Sequence, residues 1–247
     1  MSLKTLHTGA ILVADSHCAA WRTPFLNFLE SLERSELKTT QLILMGDNFD
    51  LLFGPVEQTL RWNHEAVTLL NRLAKKIEIV YLEGNHDFRL ASLFPDIEVV
   101  DRAHQPLIVQ FENRQVALLH GDIDVPLGYE LYTKLIRNRA VLYLLNGVNR
   151  LTNGAITGWL EKAMQRKNHC KKIDNMEAIA ARHIGKRWSQ ECDFVIEGHY
   201  HQNRTFEFGT FTYYNLGAFA CNERYYVVKS SQNQTILDEA IFCKEPE

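Results

Sequence analysis

Five short clusters of Asp, Asn and His stand out in the 247-residue chain. They are Asp15-Ser16-His17, Gly46-Asp47-Asn48-Phe49-Asp50, Gly84-Asn85-His86-Asp87, His120-Gly121-Asp122 and Gly198-His199-Tyr200-His201. The side chains offered are imidazole, carboxylate and a neutral amide oxygen, with no thiolate. Such a set suits divalent Mn or Fe, with Zn²⁺ as a further candidate, and does not suit a closed structural zinc cage. Two ligands two residues apart in extended chain point the same way, which Asp15/His17 and His199/His201 can exploit. The Asp47 carboxylate has two oxygens and a full charge, so it can bridge two cations. Glycines before Asp47, Asn85 and His199 permit sharp turns that aim ligands inward.

The elements that must carry these clusters follow from the apolar patterning. Ala10–Asp15, Gln41–Asp47, Ile77–Asn85, Val116–His120 and Asp193–His199 are short apolar, β-branched runs, each ending in one of the clusters. They are expected to be buried strands, with the clusters at their C-terminal ends, where open α/β sheets bind ligands. Pro24–Glu36 and Val56–Lys76 have helical periodicity; Pro stands near the first start, and Lys75-Lys76 suits the second end. Leu107–Phe111 and Val116–Leu119, around a turn at Glu112–Arg114, predict a hairpin. Thr210–Leu216, Tyr225–Lys229 and Ile236–Phe242 predict a β-rich tail. The order is β-α-β-α-β, a hairpin, a helical block and more strands, which is a layered α/β sandwich around mixed sheets. The block, about 126–190, interrupts two strands expected to be neighbours. We therefore expect one domain over 1–247 with 126–190 inserted as a helical cap.

Composition narrows the function classes. Apolar residues make up 46% and charged residues 23%, ordinary for a globular protein. The five cysteines, Cys18, Cys170, Cys192, Cys221 and Cys243, are odd in number and widely spaced. That argues against a disulfide framework and makes a reducing cytoplasm the simplest setting. The run Ala10–Ala14 ends in Asp15, so we expect no signal peptide, and no run of about 18 apolar residues predicts a membrane span. Between Tyr129 and Gln190 lie 12 Lys+Arg and 4 Asp+Glu, a local net of +8 that leaves −11 on the rest. The basic segment suits either a solvated helical face or a cap that receives an anionic substrate, and the acidic remainder argues against a nucleic-acid groove. Among single residues, Asp50 and Asp122 are expected to fix a loop or a ligand histidine rather than bind metal. Cys18 is expected to be a small buried thiol. His7, His64, His104, His169 and His183 are expected on the surface or in packing.

D-x-H, G-D-x-x-D, G-N-H-D, an isolated H-G-D and G-H-x-H, in this order over roughly residues 9–220, resemble the calcineurin-like metallophosphoesterases. The resemblance implies an α/β/β/α sandwich and a two-metal site. Asp15, His17, Asp47 and His201 would hold one metal; Asp47, Asn85, His120 and His199 would hold the other. His86 would act on the leaving group or a phosphoryl oxygen, oriented by Asp87. A pair of divalent ions in such a site activates water for in-line attack on phosphorus.

Within the family the sequence resembles the UDP-2,3-diacylglucosamine hydrolase branch of lipid A synthesis. The similarity lies in Gly46–Gly54, in Gly84–Leu90, in the helical insertion, which resembles that branch's acyl-binding cap, and in Tyr213-Tyr214-Asn215-Leu216-Gly217. That branch often has Arg where this chain has His86. The resemblance implies a cytoplasmic enzyme working at the inner-membrane surface that releases UMP and 2,3-diacylglucosamine 1-phosphate. In the cap, Ala140–Val148 is strongly apolar and flanked by Arg137, Arg139 and Arg150. It suits an acyl chain or an anionic leaflet, or packing on the core. A nucleotide or cyclic-nucleotide phosphodiesterase is the alternative within the family. A non-enzymatic scaffold is disfavoured, because no motif ligand is missing. The sequence leaves the oligomeric state open.

Overall fold

A computed structural model describes residues 4–123, 125–230 and 235–242. The chain runs through β1 (Lys4–Thr5), β2 (Ile11–Val13), α1 (Pro24–Glu33), β3 (Gln41–Leu44), β4 (Leu52–Phe53), α2 (Glu57–Trp62), α3 (His64–Leu73), β5 (Glu78–Leu82), β6 (Asp87–Phe88), β7 (Glu98–Val100), β8 (Leu107–Phe111) and β9 (Arg114–Leu119). Helices α4 (Leu127–Ile136), α5 (Arg139–Leu151), α6 (Ala155–Gln165), α7 (Met176–Ala180) and α8 (Arg187–Gln190) follow. The chain ends with β10 (Phe194–Glu197), β11 (Arg204–Glu207), β12 (Thr212–Asn215), α9 (Phe219–Asn222), β13 (Arg224–Val228) and β14 (Leu237–Ile241).

Two six-stranded mixed sheets form, in the orders β14-β13-β2-β3-β5-β7 and β1-β8-β9-β10-β12-β11. Alternation along each strand builds the layers. Leu12, Ile43 and Val80 join Val116, Leu118, Phe194 and Ile196 in one buried cluster between the sheets. Ile11, Val13, Leu42, Leu44 and Ile79 point the other way and pack with Phe25, Phe28, Val67 and Leu70 of α1 and α3. Ala117, Leu119, Val195 and Tyr213 do the same on the far side, with Met176 and Ala180 of α7. Four layers result, α/β/β/α. Strands with both faces covered carry near-continuous apolar runs, which is why β2, β3 and β10 are buried throughout.

β9 and β10 are hydrogen-bonded parallel neighbours, Val116 opposite Phe194, although α4–α8 lie between them in the chain. Two expectations are corrected. Val56–Lys76 is not one helix: it breaks at Asn63, whose side-chain amide donates to the Leu51 and Thr59 carbonyls. The argument against disulfides also fails, because Cys170 and Cys221 are bonded. They are 51 residues apart, and only the return of the segment after α6 to α9 brings them together. Cys243 lies outside the described residues.

Candidate metal centre

The loops leaving β2, β3, β5, β9 and β10 converge. The first two run side by side: the Asp15 amide donates to the Gly46 carbonyl, His17 to Asp47 and Cys18 to Asn48. The chain there is not extended, as the two-residue spacing had suggested. Asp15, His17, Asp47, His199 and His201 all have positive φ, between 46° and 63°. Left-handed backbone is costly for residues with a Cβ. Here it is repeated at five of the seven expected ligands and turns their side chains to a common point. Gly46 also has positive φ, and a Cβ there would lie 2.5 Å from His120 Nδ1. At Gly84 space is the constraint, since a Cβ would lie 2.2 Å from Asp47 Oδ1.

The structure brings all seven expected ligands together. Donor atoms of Asp15, His17 and Asp47 lie within 4.8 Å of one another, and so do those of Asp47, His120 and His199. The two groups share Asp47. His201 Nε2 is 3.1 Å from Asp15 Oδ1, and Asn85 Oδ1 is 3.3 Å from His120 Nε2. The outer nitrogens are committed elsewhere: His120 Nδ1–H donates to the Met45 carbonyl (3.0 Å) and His201 Nδ1–H to the His169 carbonyl (2.5 Å). Each ring thereby turns Nε2 inward, the usual way a ligand imidazole is fixed.

The electrostatics fit cations. His17 is wholly buried, and its Nε2 has no hydrogen-bond partner among the described residues. Its Nδ1 lies 3.1 Å from Asp50 Oδ1, close enough for an ion pair but not aligned as a hydrogen bond. Burial, then the neighbouring His86 ring, hold the His17 pKa well below that of free imidazole, so the ring is neutral and its lone pair is free for a cation. Burial and then His120 bring His199 down to about 4. His120 goes the other way: burial lowers it, but Asp47, Asp15 and Asp122 outweigh burial and raise it to about 9. A field able to charge a buried imidazole is one a metal cation would answer.

Around the seven expected ligands, His86 and Asp87 part company. His86 Nδ1 pairs with the Asp50 carbonyl (2.9 Å), and its Nε2 with Lys167 Nζ (2.8 Å). The expectation that Asp87 orients His86 is corrected. The Asp87 carboxylate is buried and accepts from the amides of Asp47, Asn48, Phe49 and Gly84 and from the Tyr81 hydroxyl. It shapes the Asp47 loop and does not touch the imidazole. Asp50 faces His17 and Arg22, and Asp122 takes Arg102 and Arg137. His7, His64 and His104 are exposed, and His183 is buried against Glu197. His169, expected on the surface or in packing, is 6% exposed, with its ring centroid 3.9 Å from that of His17. Lys167 and His169 follow no strand, and their only signal in the sequence is the basic run Arg166–Lys172; Arg137, expected only to flank the apolar stretch of the cap, donates to the Gly84 carbonyl and to Asp122.

The model of the calcineurin-like phosphoesterase family matches residues 10–203. A UDP-2,3-diacylglucosamine hydrolase of Coxiella burnetii is 22% identical over 196 residues, spanning 78% of this chain and 80% of its own. One of a Shewanella species is 22% identical over 201 residues, 80% of this chain and 84% of its own. One of Pseudomonas putida is 27% identical over 139 residues, 55% of this chain and 58% of its own.

Proposed function

Since the chain belongs to the calcineurin-like phosphoesterase family, and is on that ground a metal-dependent phosphohydrolase, we propose that its substrate is UDP-2,3-diacylglucosamine. Water adds to one phosphorus of the pyrophosphate and the bridging P–O bond breaks, releasing UMP and 2,3-diacylglucosamine 1-phosphate. Asp15, His17, Asp47 and His201 would hold one divalent ion, and Asp47, Asn85, His120 and His199 the other. The donor set favours Mn²⁺ over Fe or Zn²⁺. Bound there, the pair supplies an activated water and neutralises phosphoryl charge. Beside Asp47, Lys167 Nζ–H donates to His86 Nε2, because His86 Nδ1–H is taken by the Asp50 carbonyl, and the pair would deliver a proton to a phosphoryl or leaving oxygen.

The observation that carries the substrate is the outer surface of the cap. Leu131, Leu135, Tyr143, Leu144, Leu151 and Trp159 of α4–α6 are exposed, Leu151 at 86% and Leu144 at 69%. Large apolar side chains grouped at a surface mark a binding face. With a local charge of +8 they suit acyl chains next to phosphate, and contact with an anionic leaflet. No helix among the described residues is long and apolar enough to cross a membrane, and the proposed contact is with a membrane surface. The names of the relatives point to the same substrate. The test is the ratio of kcat/KM on UDP-2,3-diacylglucosamine to that on UDP-N-acetylglucosamine. A large ratio supports the reading; a ratio near one promotes a nucleotide phosphodiesterase.

A further inference from the structure

His169 belongs to none of the strand-end loops. It sits between α6 and α7, in the helical insertion, yet its ring lies inside the site. Both ring nitrogens are buried without a hydrogen-bond partner among the described residues. Its Nε2 is 3.7 Å from Asp50 Oδ1, too far for a hydrogen bond. A buried imidazole that neither donates nor accepts is disfavoured unless something else takes its lone pair. The neighbours identify what that is. Donor nitrogens of His17, His169 and His201 lie within 4.8 Å of one another, and His17 and His201 are two of the side chains already assigned to the first cation.

The segment is fastened so as to hold the ring there. The His169 carbonyl accepts from His201 Nδ1. Gln202 joins the next stretch, accepting from the Ile173 amide and donating to the Lys171 carbonyl. Cys170 is bonded to Cys221 in α9, and the Ala220 amide of that helix donates to the Asp15 carbonyl. His169 is thus tied through its neighbours to the two loops that carry Asp15 and His201.

We propose that His169 is a further ligand of the first metal position, so that cation binding and seating of the 166–175 segment are one event. The proposal rests on the two-cation reading above, and the test separates the two. Wild type, His169→Ala and His169→Gln are stripped with chelator and titrated with Mn²⁺ by calorimetry, with metal content checked by mass spectrometry. Hydrogen exchange follows 166–175 in the stripped and loaded forms. Wild type is expected to bind two equivalents and to gain protection in 166–175. Both variants should bind one equivalent as wild type does and the other on the order of tenfold or more weakly, with the metal-dependent protection reduced. The glutamine variant keeps a side chain of similar reach, so agreement between the two excludes simple collapse of the segment. Fewer than two equivalents in wild type overturns the two-cation reading and the proposal with it. Two unchanged equivalents in both variants, with protection as in wild type, overturns the role of His169 alone.

Discussion

Asp47 and His86 are joined through the backbone: the His86 amide donates to Asp47 Oδ1 at 2.8 Å, while His86 Nε2 lies 4.0 Å from Asp47 Oδ2. One oxygen of the shared carboxylate thus fixes the loop that carries His86, and the other faces His120 at 3.5 Å. Asp47→Asn keeps an acceptor for the amide but removes the charge both cations need. It should lose most of both metal equivalents and nearly all activity, with the circular dichroism spectrum retained. Metal analysis after dialysis is the check, and two tightly held equivalents in that variant would end the assignment of Asp47 as the bridge.

His86 makes a different prediction. Its ring hydrogen bonds go to the Asp50 carbonyl and Lys167 Nζ, neither of them a proposed ligand, while Asp47 Oδ2 stands 4.0 Å from Nε2 and the His17 ring packs edge-on. His86→Ala should therefore keep both metals and lose on the order of 10²–10⁴ in kcat, the usual worth of a positioned acid or base. Loss of metal with kcat preserved per metal-loaded molecule would make His86 a ligand instead.

Asp87 is a matter of stability. Its carboxylate accepts four backbone amides and the Tyr81 hydroxyl inside a buried turn. Asp87→Asn would point an amino group at one or more of those donors. An unsatisfied buried polar group costs about 1–3 kcal/mol, so a loss of roughly 3 kcal/mol is expected. Urea unfolding at unchanged m-value measures it. A loss under about 0.5 kcal/mol, the range of ordinary surface substitutions, would mean that Asp87 does not hold the loop.

The strand-end clusters were legible because a strand buried on both faces announces itself as an apolar run, and the polar residue that stops it is conspicuous. On that ground the sequence alone puts Asp15, Asp47, Asn85, His120 and His199 at one end of the sheets. The backbone was not legible. Two-residue spacing suggests extended chain at Asp15/His17, but both residues adopt left-handed backbone on either side of Ser16, which tertiary contact imposes and local sequence does not encode. Asn63 looks like any helical residue until its amide finds the Leu51 carbonyl, twelve residues back. His169 and the Cys170–Cys221 bond depend on where the insertion folds back, and no periodicity within 166–175 records that.

The cysteines give a chemical test. Burial, then the nearby Asp50 carboxylate, push the Cys18 thiol up to about 12; burial and then Asp193 push Cys192 up to about 11. A thiol so far above neutral pH carries almost no thiolate and is inert. Alkylation of the native protein at pH 8 should leave both unlabelled, and labelling should appear on unfolding. A non-reducing peptide map should recover Cys170 linked to Cys221. Rapid native labelling of Cys18 would contradict its burial beside His17.

The apolar stretch of α5 divides into two faces, and the division separates packing from substrate. Leu142 is 2% exposed and packs with Leu51, Phe53, Val56 and Phe88, with Leu145 against the same cluster. Of the two readings left open for the stretch, packing on the core describes Leu142 and Leu145. Leu144 points outward. Leu142→Ala should cost about 2–5 kcal/mol in unfolding free energy, as buried leucines do, and leave the preference for acylated substrate unchanged in the folded protein. Leu144→Asp should cost under about 0.5 kcal/mol. Each buried methylene of an acyl chain contributes about 0.8 kcal/mol, so a charge placed where a few methylenes bind should lower kcat/KM on the diacylated sugar nucleotide tenfold or more. Bis-p-nitrophenyl phosphate, which has no acyl chain, reports on the metal site alone and serves as the reference. The decisive quantity is the ratio of the two rates in wild type and in Leu144→Asp. If it is the same in both, the outward face of α5 does not hold the acyl chain.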